Sequence, residues 1–286
     1  AAHHAALAGA SVAHFVGSGI PGGLVANIGE LEGFPALAPV PALDLALRIS
    51  EDNEGHGVEI IPEDVVSIAP DGGLFRIATA DGERAAKAVV VATGARLRML
   101  EAPGAERLMD RGVAQCAWCN ASLVKGMDVA VVGGGDAAFQ EALHLADYAD
   151  RVTILVRGAA PRARRSFVAK ASAHERIAIE TETLVEDILG ADTVEGMRLR
   201  QGNDVSERPV ASVFVYIGLS PASEPAADIV ARDAAGHIIT DANLATQVPG
   251  LFAAGAVRAG YGGRLTQALG EATTAGMAAA AYAAAH

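Results

Sequence analysis

The sequence predicts an α/β protein, and three observations carry that prediction. Short runs rich in Val and Ile alternate with longer helical stretches along the chain. Several runs are continuously apolar, as strands buried on both faces are, and stop at glycine. They are Ala88-Val89-Val90-Val91-Ala92 before Thr93-Gly94-Ala95, Asp128-Val129-Ala130-Val131-Val132 before Gly133, and Leu251-Phe252-Ala253-Ala254 before Gly255. The second of these opens a complete strand, glycine turn, helix and strand unit of about 30 residues.

The elements follow in chain order. Ala1 to Gly9 reads as a helix ended by glycine, and Val12 to Val16 as a strand. A loop rich in Gly and Pro runs from Gly17 to Pro41, and a helix is predicted over Leu43–Asp52. Runs at Val58–Ile61, Val65–Ala69 and Phe75–Thr79, with turn signals at Asp71-Gly72-Gly73 and Asp81-Gly82, predict a β-meander leading into Ala88–Ala92. Beyond the Gly133 turn a helix is expected over Ala137–Tyr148 and a strand over Arg151–Val156. Further strands are expected at Ile177–Ile179, Thr193–Arg200 and Val213–Ile217, then the run ending at Gly255, and a closing helix from Leu265.

The chain has 286 residues, a length that suggests two domains of ordinary size. Its 22 basic and 34 acidic residues give a net charge of -12, which argues against nucleic acid or an anionic membrane surface as partner. Charged residues at 20% and plentiful Val, Ile and Leu exclude a disordered chain. No apolar stretch reaches the roughly 20 residues that a spanning helix needs. Ala1 to Val16 lacks Lys and Arg and is not expected to be a signal peptide, so a cytoplasmic protein is expected.

The two cysteines, Cys116 and Cys119, sit three apart. One pair cannot complete a structural zinc site, no His stands at ligand spacing beside it, and no metal is expected. A disulfide across so small a loop stabilises little, which leaves a thiol/disulfide couple that cycles. Cys116-Ala117-Trp118-Cys119 could open a helix, putting both sulfurs on one side. Gly133-Gly134-Gly135-Asp136-Ala137-Ala138 has G-x-G-x-x-A spacing. Such a turn brings backbone close to a pyrophosphate, with the helix N-terminus behind it. At the end of the second strand stands Val156-Arg157, then Arg162, Arg164 and Arg165, where an acid would select NAD. Arginine there favours the 2′-phosphate of NADPH. The eight histidines show no metal-ligand spacing, and no G-x-S-x-G elbow is present.

Taken in order, Gly22-Gly23, Glu32-Gly33-Phe34-Pro35, Ala92 to Ala95, the CxxC, Asp128 to Ala138, Ile217-Gly218 and Phe252 to Gly255 resemble the low-molecular-weight thioredoxin reductases. The resemblance covers nearly the whole chain. It implies two Rossmann-like three-layer nucleotide-binding domains: a discontinuous FAD domain at about 1–99 and 224–286, and an inserted NAD(P) domain at 100–223 carrying the CxxC. It implies FAD and NADPH as cofactors and electron flow from NADPH to FAD to Cys116/Cys119 to a disulfide, on a thioredoxin-like protein or a small molecule. A homodimer is implied as well. Residue by residue, Cys119 matches the sulfur beside the flavin and Cys116 the one that attacks the substrate. Gly133, Gly134, Gly135, Asp136 and Ala137 match the NADPH pyrophosphate loop, Arg157 and Arg162 its 2′-phosphate ligands, and Ile217-Gly218 a segment of the same domain. Gly22-Gly23-Leu24, Thr93-Gly94-Ala95, Gly255 and Arg264-Leu265 match segments around FAD.

The chain departs from the family pattern at several points. The family opens with a strand and a G-x-G-x-x-G turn, whereas this sequence starts in the helix that follows; a first segment missing from the record is the expectation. Val16 stands where an acid holds the adenosine ribose, and Gly255-Ala256 where Gly-Asp holds the ribityl chain. Asn120 follows the CxxC in place of a proton-donating aspartate. Asn120 cannot give up a proton at neutral pH, so either water serves or the chemistry is altered. Two alternatives to a reductase follow: a flavin-dependent dithiol oxidase using oxygen, and a non-catalytic nucleotide-binding or redox-sensing module.

Overall fold

A computed structural model describes residues 1–17, 19, 21–31, 34 and 40–286. Glu32-Gly33 and Pro35 of the motif quoted above lie outside the described residues. The chain divides into two compact units, unit 1 being Ala1–Arg96 with Ser220–His286, and unit 2 being Leu97–Leu219.

Unit 1 opens with α1 (Ala2–Leu7), β1 (Ala13–Phe15), α2 (Ala42–Gly55) and β2 (Glu59–Ile61). It continues through β3 (Val65–Asp71), β4 (Leu74–Thr79), β5 (Glu83–Ala86) and β6 (Val89–Val91), and β7 (Ala95–Leu97) carries the chain out. Unit 2 holds β8 (Val113–Ala114), α3 (Ala117–Asn120), β9 (Asp128–Val132), α4 (Asp136–Leu145), β10 (Arg151–Leu155), α5 (Arg165–Ser172) and β11 (Ile177–Glu180). Strands β12 (Thr183–Leu189), β13 (Gly196–Gln201), β14 (Asp204–Pro209) and β15 (Ser212–Val215) complete it. Strand β16 (Leu219–Pro221) leads back to β17 (Leu251–Ala253) and α6 (Leu265–Ala285).

The core of unit 2 is a five-stranded sheet in the order β11-β10-β9-β15-β8, parallel throughout. Successive side chains of a strand face opposite ways, so a strand covered on both sides must be apolar at every position. Strand β9 obeys this: Val129 and Val131 enter one buried cluster with Phe139, Ala142 and Leu145 of α4, while Ala130 and Val132 enter another with Ile188, Met197 and Leu199. Phe214 of β15 joins the first cluster, and its neighbours Val213 and Val215 join the second. Helices therefore cover one face and the antiparallel ribbon β12-β13-β14 covers the other. This is a three-layer nucleotide-binding architecture.

Unit 1 repeats the logic with shorter strands. Leu251 and Ala253 of β17 pack with Phe75, Ile77 and Val91, while Phe252 and Ala254 pack with Ala275 and Ala279 of α6. Strand β17 runs parallel to β6, and β1 runs parallel to β2. The meander corrects the expectation at one point. Its strands are β3, β4 and β5, while the run at Val58–Ile61 pairs with β1 instead. Likewise the strand expected over Thr193–Arg200 begins at Gly196, and β12, β14 and α5 are additional elements. Among the described residues, no helix is long and apolar enough to cross a membrane.

Phe139 is fully buried between α4 and the sheet. Phe139→Ala leaves a cavity there and is expected to cost about 3–5 kcal/mol, read as a lowered midpoint of denaturant unfolding.

Candidate functional site

The cysteines form a Cys116–Cys119 disulfide with the Cα atoms 5.3 Å apart. Cys116 is the N-cap of α3, and its Sγ accepts from the Cys119 backbone N–H at 3.1 Å. Cys119 is exposed and Cys116 half-buried. Asn120 donates from Nδ2 to the Cys116 carbonyl at 2.9 Å, so it braces the turn through the backbone. Two further contacts pin this turn to its neighbours. The Ala117 N–H donates to the Tyr216 hydroxyl at 2.9 Å, and the Trp118 indole stacks on the His144 imidazole of α4 with ring centres 3.6 Å apart.

The glycine turn lies at the C-terminal end of β9, beside β15, where the strand order reverses direction. That is the switch point at which open parallel sheets bind ligands. Gly133 has φ +151°, and a Cβ there would lie 2.2 Å from the Tyr216 carbonyl oxygen, so only glycine fits. A Cβ on Gly134 would press on Val156, whereas Gly135 faces open space ahead of α4. The Gly134 carbonyl accepts from the Arg162 and Ala163 backbone N–H groups at 2.7 and 3.0 Å. The arginine loop is thereby tied to the turn. Asp136, in the first turn of α4, accepts from the Arg164 backbone N–H and from its Nε, both at 2.7 Å. Arg164 also lies over the Phe167 ring. Arg164 is thus committed to the protein, while Arg157 and Arg162 remain exposed. Ile217 and Gly218 follow β15, and the Gly218 carbonyl accepts from the Arg98 N–H.

In unit 1 the expected residues stand on separate loops. Gly22 has φ +99° and packs on Ala46 of α2, Gly23 faces open space, and Leu24 lies in the 3₁₀ turn Gly23–Asn27. The Thr93 hydroxyl donates to the Ala222 carbonyl, Gly94 has φ +70° and is open, and Ala95 begins β7. Gly255, with φ +76°, donates its N–H to Glu271 at 2.8 Å. Arg264 is the N-cap of α6 and Leu265 its first residue.

Two buried carboxylates escaped the motif reading. Glu271 accepts from Arg258 at 2.6 Å, from Gln267 at 2.7 Å and from Gly255. Burial pushes its carboxyl up, but these donors outweigh burial and hold it below the usual carboxylate value. Glu141 of α4 is 8% exposed, its carboxyl interacts with the Tyr216 hydroxyl, and its Oε2 has no hydrogen-bond partner among the described residues. Burial pushes this carboxyl up to about 7. Its position was legible: Ala138, Glu141, Ala142 and Leu145 form one stripe at helical spacing, and a carboxylate on a buried stripe is a signal.

A parallel nucleotide-binding sheet with a redox-active cysteine pair beside its glycine turn defines a nucleotide-dependent thiol–disulfide oxidoreductase. Residues 1–285 match the family model for pyridine nucleotide-disulphide oxidoreductases, and the chain belongs to that family. It is 36% identical to the thioredoxin reductase of Listeria monocytogenes, covering 92% of this chain and 84% of the relative. With the Treponema pallidum thioredoxin reductase it shares 33% identity over 91% of this chain and 86% of the relative. The fold superposes on the crystal structure of Lactococcus lactis thioredoxin reductase with TM-score 0.96 at 32% identity, covering 100% of this chain and 95% of that one. The protein is an NADPH-dependent flavoprotein disulfide reductase, with FAD and NADPH as its cofactors.

The residues present fit both groups. For NADPH, Gly135 leaves space at the α4 N-terminus, and the nearest acid, Asp136, is neutralised by Arg164. For FAD, the positive-φ glycines Gly23 and Gly94 leave backbone that a ligand can approach, and Gly255 is held in place by Glu271. Val16 and Ala256 present no polar side chain.

The shift at Glu141 makes stability depend on pH. Its folded-state value lies above the unfolded one, so the native state holds an extra proton between about 4.5 and 7, and stability falls as pH rises through that window. The loss from this group is about 3 kcal/mol. Glu141→Gln is expected to remove that slope, read as the difference in unfolding free energy between wild type and variant from pH 4.5 to 8.

Proposed function

We propose that the substrate is the disulfide of a thioredoxin-like protein, and that Cys116 attacks it while Cys119 is the sulfur that receives electrons. The observation that carries this reading is a closed Cys116–Cys119 disulfide at the surface, braced on the same sheet end as the glycine turn. Trp118, Leu123, Met127 and Tyr148 are large apolar side chains exposed near that turn, as suits a protein substrate. The relatives' function as thioredoxin reductases supports the same substrate.

FAD, when bound, supplies a two-electron carrier between NADPH and the cysteine pair. Gly133 to Ala137 would hold the NADPH pyrophosphate, with Arg157 and Arg162 on its 2′-phosphate and Ile217-Gly218 bordering the same site. Gly22 to Leu24, Thr93 to Ala95, Gly255 and Arg264-Leu265 would hold FAD. Two electrons and one proton open the Cys116–Cys119 bond to a thiolate and a thiol. The Cys116 thiolate attacks the substrate disulfide, forming a mixed disulfide and expelling the other substrate sulfur as a thiolate. The Cys119 thiol then gives its proton to solvent, and the resulting thiolate attacks Cys116 Sγ, restoring the internal bond and releasing the reduced substrate. Asn120 holds the turn by its amide, and solvent protonates the leaving thiolates. We read the working protein as a cytoplasmic homodimer, in keeping with the family resemblance.

Cys119→Ser should abolish disulfide turnover, retain NADPH-dependent flavin reduction and trap a mixed disulfide on Cys116, whereas Cys116→Ser should trap none. Mass analysis of the adducts reads the order of the sulfurs, and trapping by the other variant reverses the assignment. Replacing Arg157 and Arg162 together by Ala should raise the KM for NADPH by roughly tenfold or more per arginine, from about 1.5 kcal/mol for each charge-assisted hydrogen bond. The KM for NADH should move little, and equal changes in both would remove the phosphate assignment.

A further inference from the structure

We propose that Glu141, acting through the Tyr216 hydroxyl, is a positioning residue that couples the redox state of the Cys116–Cys119 pair to proton uptake inside unit 2. The inference deepens the disulfide-reductase reading and rests on it.

Tyr216 stands between the redox turn and Glu141. The amide that Tyr216 accepts from belongs to the Cys116–Ala117 peptide, inside the redox turn itself. The same hydroxyl interacts with the Glu141 carboxyl, and burial first, then the Glu141 charge, suppress the tyrosine's own ionisation. Glu141 shares α4 with Ala138, Phe139 and Ala142 of the apolar cluster, and its second oxygen has no donor among the described residues. A buried carboxylate with one donor and a free oxygen is costly to keep charged, so its proton is held near neutrality rather than far below it.

The surrounding charges do not compete. Among the described residues Tyr216 is the ionisable group that acts on Glu141. The helix α3 contributes the disulfide. On α5 Arg165 and Lys170 are exposed, as are Asp128 on β9 and Arg151 on β10. On α4 itself His144 stacks on Trp118, and burial lowers its proton affinity. Tyr216 is therefore the group that joins Glu141 to the redox turn.

The direction follows. An ionised Glu141 polarises the Tyr216 O–H, which strengthens the hydroxyl as acceptor for Ala117 N–H and tightens the turn in its closed form. Opening the disulfide takes two electrons and one proton and leaves one thiolate nearby, whose negative charge favours protonated Glu141. The carboxylate then takes a second proton from solvent. The electrons come from NADPH through FAD, the established route. Reduction is thus easier when Glu141 is protonated, and harder when it is ionised.

The test is a redox titration of the FAD-loaded protein against dithiothreitol buffers from pH 5.5 to 9, with the cysteines counted by alkylation and mass. The ratio of the reduction equilibrium constants, wild type over Glu141→Gln, is expected to fall at least threefold across that range, or about 14 mV in midpoint potential. A smaller fall overturns the proposal. Tyr216→Phe keeps the carboxyl and removes the link, so it should lose the same pH-dependent component; retention of the wild-type profile overturns the relay. Dithiothreitol reduces the pair whether or not NADPH does. Failure of NADPH to reduce the wild-type pair would therefore count against the reductase reading, while the titration still judges Glu141.

Discussion

The close approach of Gly133 to the Tyr216 carbonyl is the contact on which unit 2 depends. It exists because β9 and β15 are adjacent parallel strands that end together, and because residue 133 has no Cβ to hold them apart. From that meeting point the backbone of β9 turns into the glycine-rich loop. From the other side the Tyr216 side chain reaches the backbone of the cysteine turn. One pair of strand ends therefore carries both the glycine turn and the anchor of the redox turn. A rigid scaffold of this kind fixes each reacting group by packing rather than by long loops.

The same economy explains what could be read in the sequence. The central strands were legible because burial on both faces forces every residue to be apolar, as in Val129 to Val132 and Val213 to Val215. Several of the elements that escaped are surface elements. Strand β14 is exposed along most of its length, β5 carries Glu83 and Arg84, and α5 begins in an arginine cluster that reads as a loop. Their order comes from pairing with neighbours, such as Arg198 against Glu207, and pairing leaves no periodic trace in one strand alone. Strand β2 reads as part of a meander because its partner, β1, lies more than 40 residues upstream.

The site divides along the same line. Cysteine spacing and the glycine turn are local patterns, because each chemistry needs its atoms within a few residues. The supports are distant in sequence. Ala117 and Tyr216 are 99 positions apart, and Asp136 and Arg164 are 28 apart. The second pair also revises the picture of the arginine cluster. Composition presents four equivalent cations, but the fold spends Arg164 on neutralising the one acid in the turn. With the proposed placement of NADPH, that arrangement answers an electrostatic problem, since an unpaired Asp136 would face its phosphates.

Two buried glutamates show how environment assigns roles to one side chain. Glu271 is met by a guanidinium, an amide side chain and a backbone N–H, so burial is overcome and the group stays ionised. It fixes the loop after Gly255 without titrating near neutrality, so the loop needs no acid at Ala256 to keep its backbone shape. Glu141 has a tyrosine hydroxyl and hydrocarbon around it, so burial prevails and the proton stays on until pH nears 7. Had Glu141 an arginine at its free oxygen, it would be a second Glu271, fixed and indifferent to the sulfurs. The missing partner is what leaves its charge free to follow the state of the cysteine pair.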